Sequence, residues 1–188
     1  MPAVRAGGPV NGRNDPSAGT WLRPYRSVLA ELAQLSGVPD PVFETYYGVT
    51  LRAVAVRVRN QPAPGTAAPR LAVVLEHARN ALRRRRDVRL PRGAAPHEAV
   101  AQADLWTYAA FAAVVVRALA AVEEETVSPA PPVAVVPVAG LVWLASDPTV
   151  FEHWLAAVAG ADAAAEALGD LVRACLDAAA PARAPDGV

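Results

Sequence analysis

The segment from Leu105 to Val122 is apolar on nearly every side and carries one charge, Arg117. A helix built on it cannot keep a face in water. It must cross a bilayer or lie at the centre of a bundle. Alanine dominates the segment and the arginine sits inside it, a costly place for a charge in lipid, so a buried central helix is expected rather than a membrane span. Alanine supplies more than a fifth of the 188 residues, and aromatic residues only 6%. That balance favours helices with closely approaching backbones over a β-sandwich, because alanine is a good helix former and a poor strand former.

The rest of the chain divides at its Pro and Gly clusters. Residues 1–20 show no apolar period and read as a mobile arm, and residues 181–188 as a disordered tail. Residues 21–180 form one domain, large enough for a single core. A first helix is expected from Tyr25 or Arg26 to about Leu35, with Val28, Leu29, Leu32 and Leu35 on one face and Ser36-Gly37 as its stop. A second runs through Phe43, Tyr46, Tyr47 and Leu51. Its continuation, Leu51 to Arg59, alternates like a strand but has no evident partner strand, so it is read as helix.

Residues 60–69 read as a loop. A third helix follows from about Arg70 to Asp87, burying Leu71, Val74, Leu75, Ala78 and Leu82. After a connector at Leu90 to Pro96, a long helix is expected from His97 to about Glu125. The prolines between Ser128 and Pro137 exclude a continuous helix there. A short helix carries Leu141 to Leu144, and Asp147-Pro148 is a start signal for the next, which ends at Gly160. The last helix is expected from about Asp162 to Ala179. The sum is an all-α single domain of six or seven helices.

Formal net charge is zero, so no global field draws the chain to nucleic acid or anionic membrane. The N-terminal stretch lacks the apolar core of a signal peptide, and a cytoplasmic location with no membrane partner is expected. One cysteine excludes a disulfide framework. His77, His97 and His153 lie in three different helices without metal-ligand spacing and read as surface or cap histidines. Cys175 reads as an inert core residue. There is no lysine for a phosphate-binding glycine loop. Tyr46-Tyr47 is similar to the paired tyrosine nucleophiles of some DNA-nicking enzymes. Those enzymes also need a metal-holding histidine cluster, so these two read as core or half-buried aromatics.

All 18 basic residues are arginines, and seven of them, Arg79, Arg83, Arg84, Arg85, Arg86, Arg89 and Arg92, gather around the end of the third helix. Two readings stand side by side. The cluster contacts DNA phosphates, or it is a solvated helix end that complements the macrodipole and takes Glu123, Glu124 and Glu125 as counterions.

The stretch LEHARNALRRRRDVRLPRGAAPHEAVAQADLWTYAAFAA resembles the TraI-type relaxase domain of integrating conjugative elements, a family often labelled putative helicase and grouped with the MobH relaxases. The shared pieces are an arginine-rich helix end over Leu75 to Arg86, a connector with Leu90-Pro91, Gly93-Ala94 and Pro96, and an aromatic helix over Leu105 to Ala113. The block VPVAGLVWLASDPTVFEHWLAAVAG, followed by LGDLVRA, is similar to the family's later segment. The resemblance spans roughly residues 26 to 178. It implies a helical fold of the HD type and a divalent metal, held by imidazole and carboxylate, that activates water against a phosphodiester.

The same resemblance implies that the metal ligands are gone. The family's Asp-His-Thr before Leu75-Glu76 corresponds to Ala72, Val73 and Val74. Its His-Asp pair corresponds to Arg117 and Ala118. Its final aspartate falls at Leu176, between Cys175 and Asp177. Val73, Arg117, Ala118 and Leu176 are therefore former metal-site positions, with no catalytic residue, metal or cofactor carried over. Arg117 is expected to fill the vacated position and to pair with Asp177 or Glu76, because an unpaired charge in a core is costly. A shifted alignment would instead let Asp177 or Glu76 help form a different site. The implied function is a non-catalytic accessory module of conjugative DNA transfer, binding DNA through the arginines or proteins of a conjugation system through its Ala/Val-rich faces. The alternative is an active HD-type metal-dependent phosphodiesterase.

Overall fold

The computed structural model describes residues 20–60, 67–123 and 132–178, and every regular element among them is helical. The expected arm (apart from residue 20) and tail, residues 61–66 of the expected loop and residues 128–131 of the proline-rich stretch lie outside the described residues. Helix α1 (Arg26–Ser36) ends at Gly37, whose φ of 73° supplies the left-handed cap that the sequence signals. Helix α2 (Asp40–Phe43) runs through a π-helical turn, Glu44–Gly48, into α3 (Val49–Arg59). The strand-like alternation of α3 is not used. Its buried positions are Thr50, Leu51, Val54, Ala55 and Val58, spaced for a helix, while Val56 is half-buried.

Helix α4 (Ala67–Arg85) buries Leu71, Val74, Leu75, Ala78 and Leu82, the stripe its sequence predicts. The long helix expected from His97 onward is two helices, α5 (Pro96–Ala101) and α6 (Ala103–Glu123). Gln102 separates them at φ −103°, ψ 5°. Its side chain works there as a junction: the amide nitrogen donates to Asp147 Oδ2 (2.7 Å) and the amide oxygen accepts from Trp106 Nε1 (3.2 Å). Periodicity alone could not register that break, since the apolar pattern continues across it.

The chain then forms a 3-10 turn (Pro132–Val135) and helices α7 (Val138–Leu144), α8 (Pro148–Val158) and α9 (Glu166–Ala178). Asp147 caps α8 as its sequence predicts, Oδ1 accepting from the Thr149 and Val150 amides at 2.9 and 3.1 Å. Helix α9 starts four residues later than expected. Residues 162–165 form turns, and Gly169 packs so closely on them that a Cβ there would meet Asp162 O at 2.2 Å.

Helix α6 is the centre of the fold. It is long and apolar enough to cross a membrane by length and composition, yet two thirds of its apolar window is enclosed within the structure. It packs most extensively on α4 and then on α8 and α9, and α4 also packs on α1, α3 and α9. Ala109, Ala110, Ala112, Ala113 and Ala118 are fully enclosed, so small side chains let these helices come close. At the end of α6 the Glu123 carboxylate takes a two-pronged bond from Arg57, Nε to Oε1 at 2.6 Å and Nη2 to Oε2 at 2.8 Å, fastening α3 to the core.

Candidate nucleic-acid interface

The arginine cluster lies at the end of α4 and in the connector after it, and the structure divides its members by what they touch. Arg79 pairs with Glu76 on its own helix and, at 3.5 Å, with Glu31 on α1. Arg83 reaches the other oxygen of Glu31 at 2.5 Å and holds that carboxyl below the usual range, chiefly through this hydrogen bond. Arg86 donates to the carbonyls of Gln34 and Leu35 at 3.1 and 3.4 Å. These are last-turn carbonyls of α1, where a cation satisfies open acceptors and complements the dipole. Arg85 is half-buried and donates to Val88 O at 2.6 Å, and burial lowers the affinity of its guanidinium for its proton. Four of the seven arginines therefore fasten α1 to α4 or hold the turn after α4.

Three make no contact of this kind. Arg84 and Arg89 are exposed and form no ion pair or hydrogen bond among the described residues. Arg92 has a side chain 70% exposed and makes one long contact, 3.3 Å, to Asp170 on α9. Asp170 also accepts from Arg173 at 2.6 Å. Of the expected counterions, Glu123 is buried against Arg57, and Glu124 and Glu125 lie outside the described residues. Of the acids that serve the cluster, Glu76 lies on α4 itself, while Glu31 and Asp170 come from helices distant in sequence. Only the Glu76–Arg79 and Asp170–Arg173 pairs, each three apart on one helix, were within reach of sequence reasoning.

Val73, Arg117, Ala118 and Leu176, the positions expected from the resemblance to be former metal sites, lie on α4, α6 and α9, helices that pack against one another. Their side chains meet different surroundings. Val73 is 40% exposed, Ala118 is enclosed and Leu176 is half-buried. Arg117 is paired as its chemistry requires, but with Asp162 rather than Asp177 or Glu76. Nη1 donates to Asp162 Oδ1 at 2.6 Å, with side chains 24% and 13% exposed. The turn before α9 brings Asp162 to this position, whereas Asp177 is exposed and Glu76 is taken by Arg79. Among the described residues, no group of three or more His, Cys, Asp or Glu side chains is placed to hold a metal ion.

The histidine reading needs one correction. His97 is exposed and His153 half-buried against the Trp106 ring, but His77 is only 7% exposed. Its Nδ1 lies 3.1 Å from Cys175 O and ties α4 to α9. A single ring-to-carbonyl bond makes burial tolerable there. Cys175 is a buried core thiol, and burial pushes it up to about 11. Tyr46 and Tyr47 are aromatic packing. Tyr47 stacks on Phe43 at 5.3 Å and meets Tyr108 edge-on at 5.1 Å, while Tyr46 lies 4.4 Å from Trp143. Burial raises the Tyr47 hydroxyl well above its ordinary value, the opposite of what a tyrosinate nucleophile requires.

No protein-family model, curated protein or solved structure matches this chain.

Proposed function

We propose that this chain is a non-catalytic helical binding domain, akin to the TraI-type relaxase domain, that contacts DNA in conjugative transfer through Arg84, Arg89 and Arg92. The observation that carries the reading is the division of the arginine cluster. Four members are engaged within the fold, while these three stand at the surface, Arg84 and Arg89 with no carboxylate partner among the described residues. The ion pair between Arg117 and Asp162 supports the non-catalytic part. A guanidinium fixed at the position that corresponds to the family's ligand pair repels a divalent cation and occupies a nearby carboxylate.

The test is a salt titration of affinity for a single-stranded oligonucleotide, read by fluorescence anisotropy. Three phosphate contacts predict a slope of log K against log salt of about −2, and all seven arginines would give about −5. The triple variant Arg84→Gln, Arg89→Gln, Arg92→Gln should lose binding, while Arg79→Gln should leave the slope unchanged. Absence of binding at about 50 mM salt overturns the DNA reading. Metal analysis and a nuclease assay with added Mn²⁺ should both be blank. Near-stoichiometric metal, or cleavage abolished by chelator, would favour the active phosphodiesterase instead.

A further inference from the structure

Where the end of α4 and its connector meet α9, Arg84, Val88 and Arg92 face Asp170, Leu171 and Ala174 across a groove of ≈ 200 Å³. Its floor is apolar and its rims are charged. Asp170 lies between two guanidiniums, 3.3 Å from Arg92 Nη2 and 2.6 Å from Arg173 Nη2, and Arg84 lines the same groove. Arg84 and Arg92 line the groove and Arg173 stands beside it on Asp170, so three cations meet one carboxylate, an excess of two positive charges. Asp87 and Arg89, both exposed in the adjoining segment, carry opposite formal charges and add nothing to that excess.

We infer that this groove is a subsite for a phosphate monoester dianion, the terminal phosphate of a nucleic-acid strand, held by Arg84, Arg92 and Arg173 in place of the Asp170 carboxylate. The strand as ligand rests on the function proposed above; the phosphate site itself does not. Guanidinium forks match phosphate oxygens in geometry, and the excess of two matches a monoester above its second ionisation, near pH 6. A diester along the chain carries one charge and fits the excess less well. The groove is smaller than the roughly 300–1,000 Å³ of sites that enclose a whole small ligand, so it accommodates a charged end group and little more. Asp170 stands in for that group in the free protein, satisfying two arginines that would otherwise repel each other. Ligand phosphate must displace it.

The experiment uses the full chain and two probes. One is inorganic phosphate, followed through the side-chain Nε–H signals of the arginines by NMR. The other is a single oligonucleotide in three forms, with a 5′-phosphate, with a 3′-phosphate and with neither. One phosphorylated form should bind about five- to tenfold more tightly than the unphosphorylated strand near neutral pH, and the ratio should fall toward one at about pH 5. Which form is preferred identifies the strand end. Arg84→Gln with Arg92→Gln should abolish the preference without changing the melting temperature, and Asp170→Asn should tighten inorganic phosphate by removing its competitor. Equal affinity for all three strands, with no phosphate-induced shift, overturns the subsite while leaving DNA binding intact. Phosphate binding without binding of any strand does the reverse. Asp170→Asn weakening phosphate would also overturn it, because Asp170 would then be organising the site.

Discussion

Replacing Asp162 with Asn tests whether Arg117 is held as a buried cation. The carboxylate and guanidinium meet at 2.6 Å with 13% and 24% of their side chains exposed, on a helix whose neighbouring Val116 and Ala118 are buried. Two unit charges about 4 Å apart at an effective dielectric near 20 attract by about 4 kcal/mol. Desolvation offsets part of this, and the partial exposure of both groups screens more, leaving a net coupling of about 2 kcal/mol. Asp162→Asn keeps the shape and leaves the guanidinium facing a neutral amide, so most of that coupling should be lost. Arg117→Met keeps the stem packing and strands the carboxylate instead. The double variant should cost less than the sum of the two, because neither charge is left unpaired. Urea unfolding followed by tryptophan fluorescence reads the cycle. With a slope of about 2 kcal/mol/M, the Asp162→Asn midpoint should fall by about 1 M. A coupling below about 0.5 kcal/mol would refute the argument, since it would mean that water already solvates Arg117.

Gly140→Ala should destabilise by about 1–3 kcal/mol, because a Cβ there would meet the Tyr108 hydroxyl at 2.1 Å inside the core. Tyr108→Phe should recover part of that loss, as this hydroxyl is buried with no hydrogen-bond partner among the described residues; thermal denaturation of the pair and the singles checks this, and no recovery would place the strain elsewhere. Cys175, pushed up to about 11 by burial, should react with a thiol-specific reagent at pH 8 only when the chain is unfolded by urea. Burial also raises Tyr108 to about 12, above its ordinary value of 10.0, so its contribution to stability is complete below pH 10 and is lost as pH rises toward 12. Denaturation midpoints over that range should fall in wild type and fall less in Tyr108→Phe.

The helical class, the central place of α6 and most buried stripes were legible in the order of residues along the chain. Those follow from local spacing: Leu71, Val74, Leu75, Ala78 and Leu82 recur at helical intervals, and a segment as apolar as Tyr108 to Val116 has no stable place except the middle. Asp147-Pro148 and Gly37 were equally legible, because a cap is a contact between near neighbours. The interior break at Gln102 was not, since it is set by a hydrogen bond to Asp147, 45 residues away.

The same limit governed the candidate site. Sequence placed seven arginines together but could not say which were free, because Glu31 lies 52 residues from Arg83, and the α1 carbonyls that take Arg86 are as distant. It required a carboxylate for Arg117, which electrostatics alone dictates, yet Asp162 was supplied by a turn where helix periodicity predicted more helix. Local propensity fixes which residues share a face. Only the packing of α1, α4, α6 and α9 decides which charges neutralise one another, and so which arginines remain for a ligand.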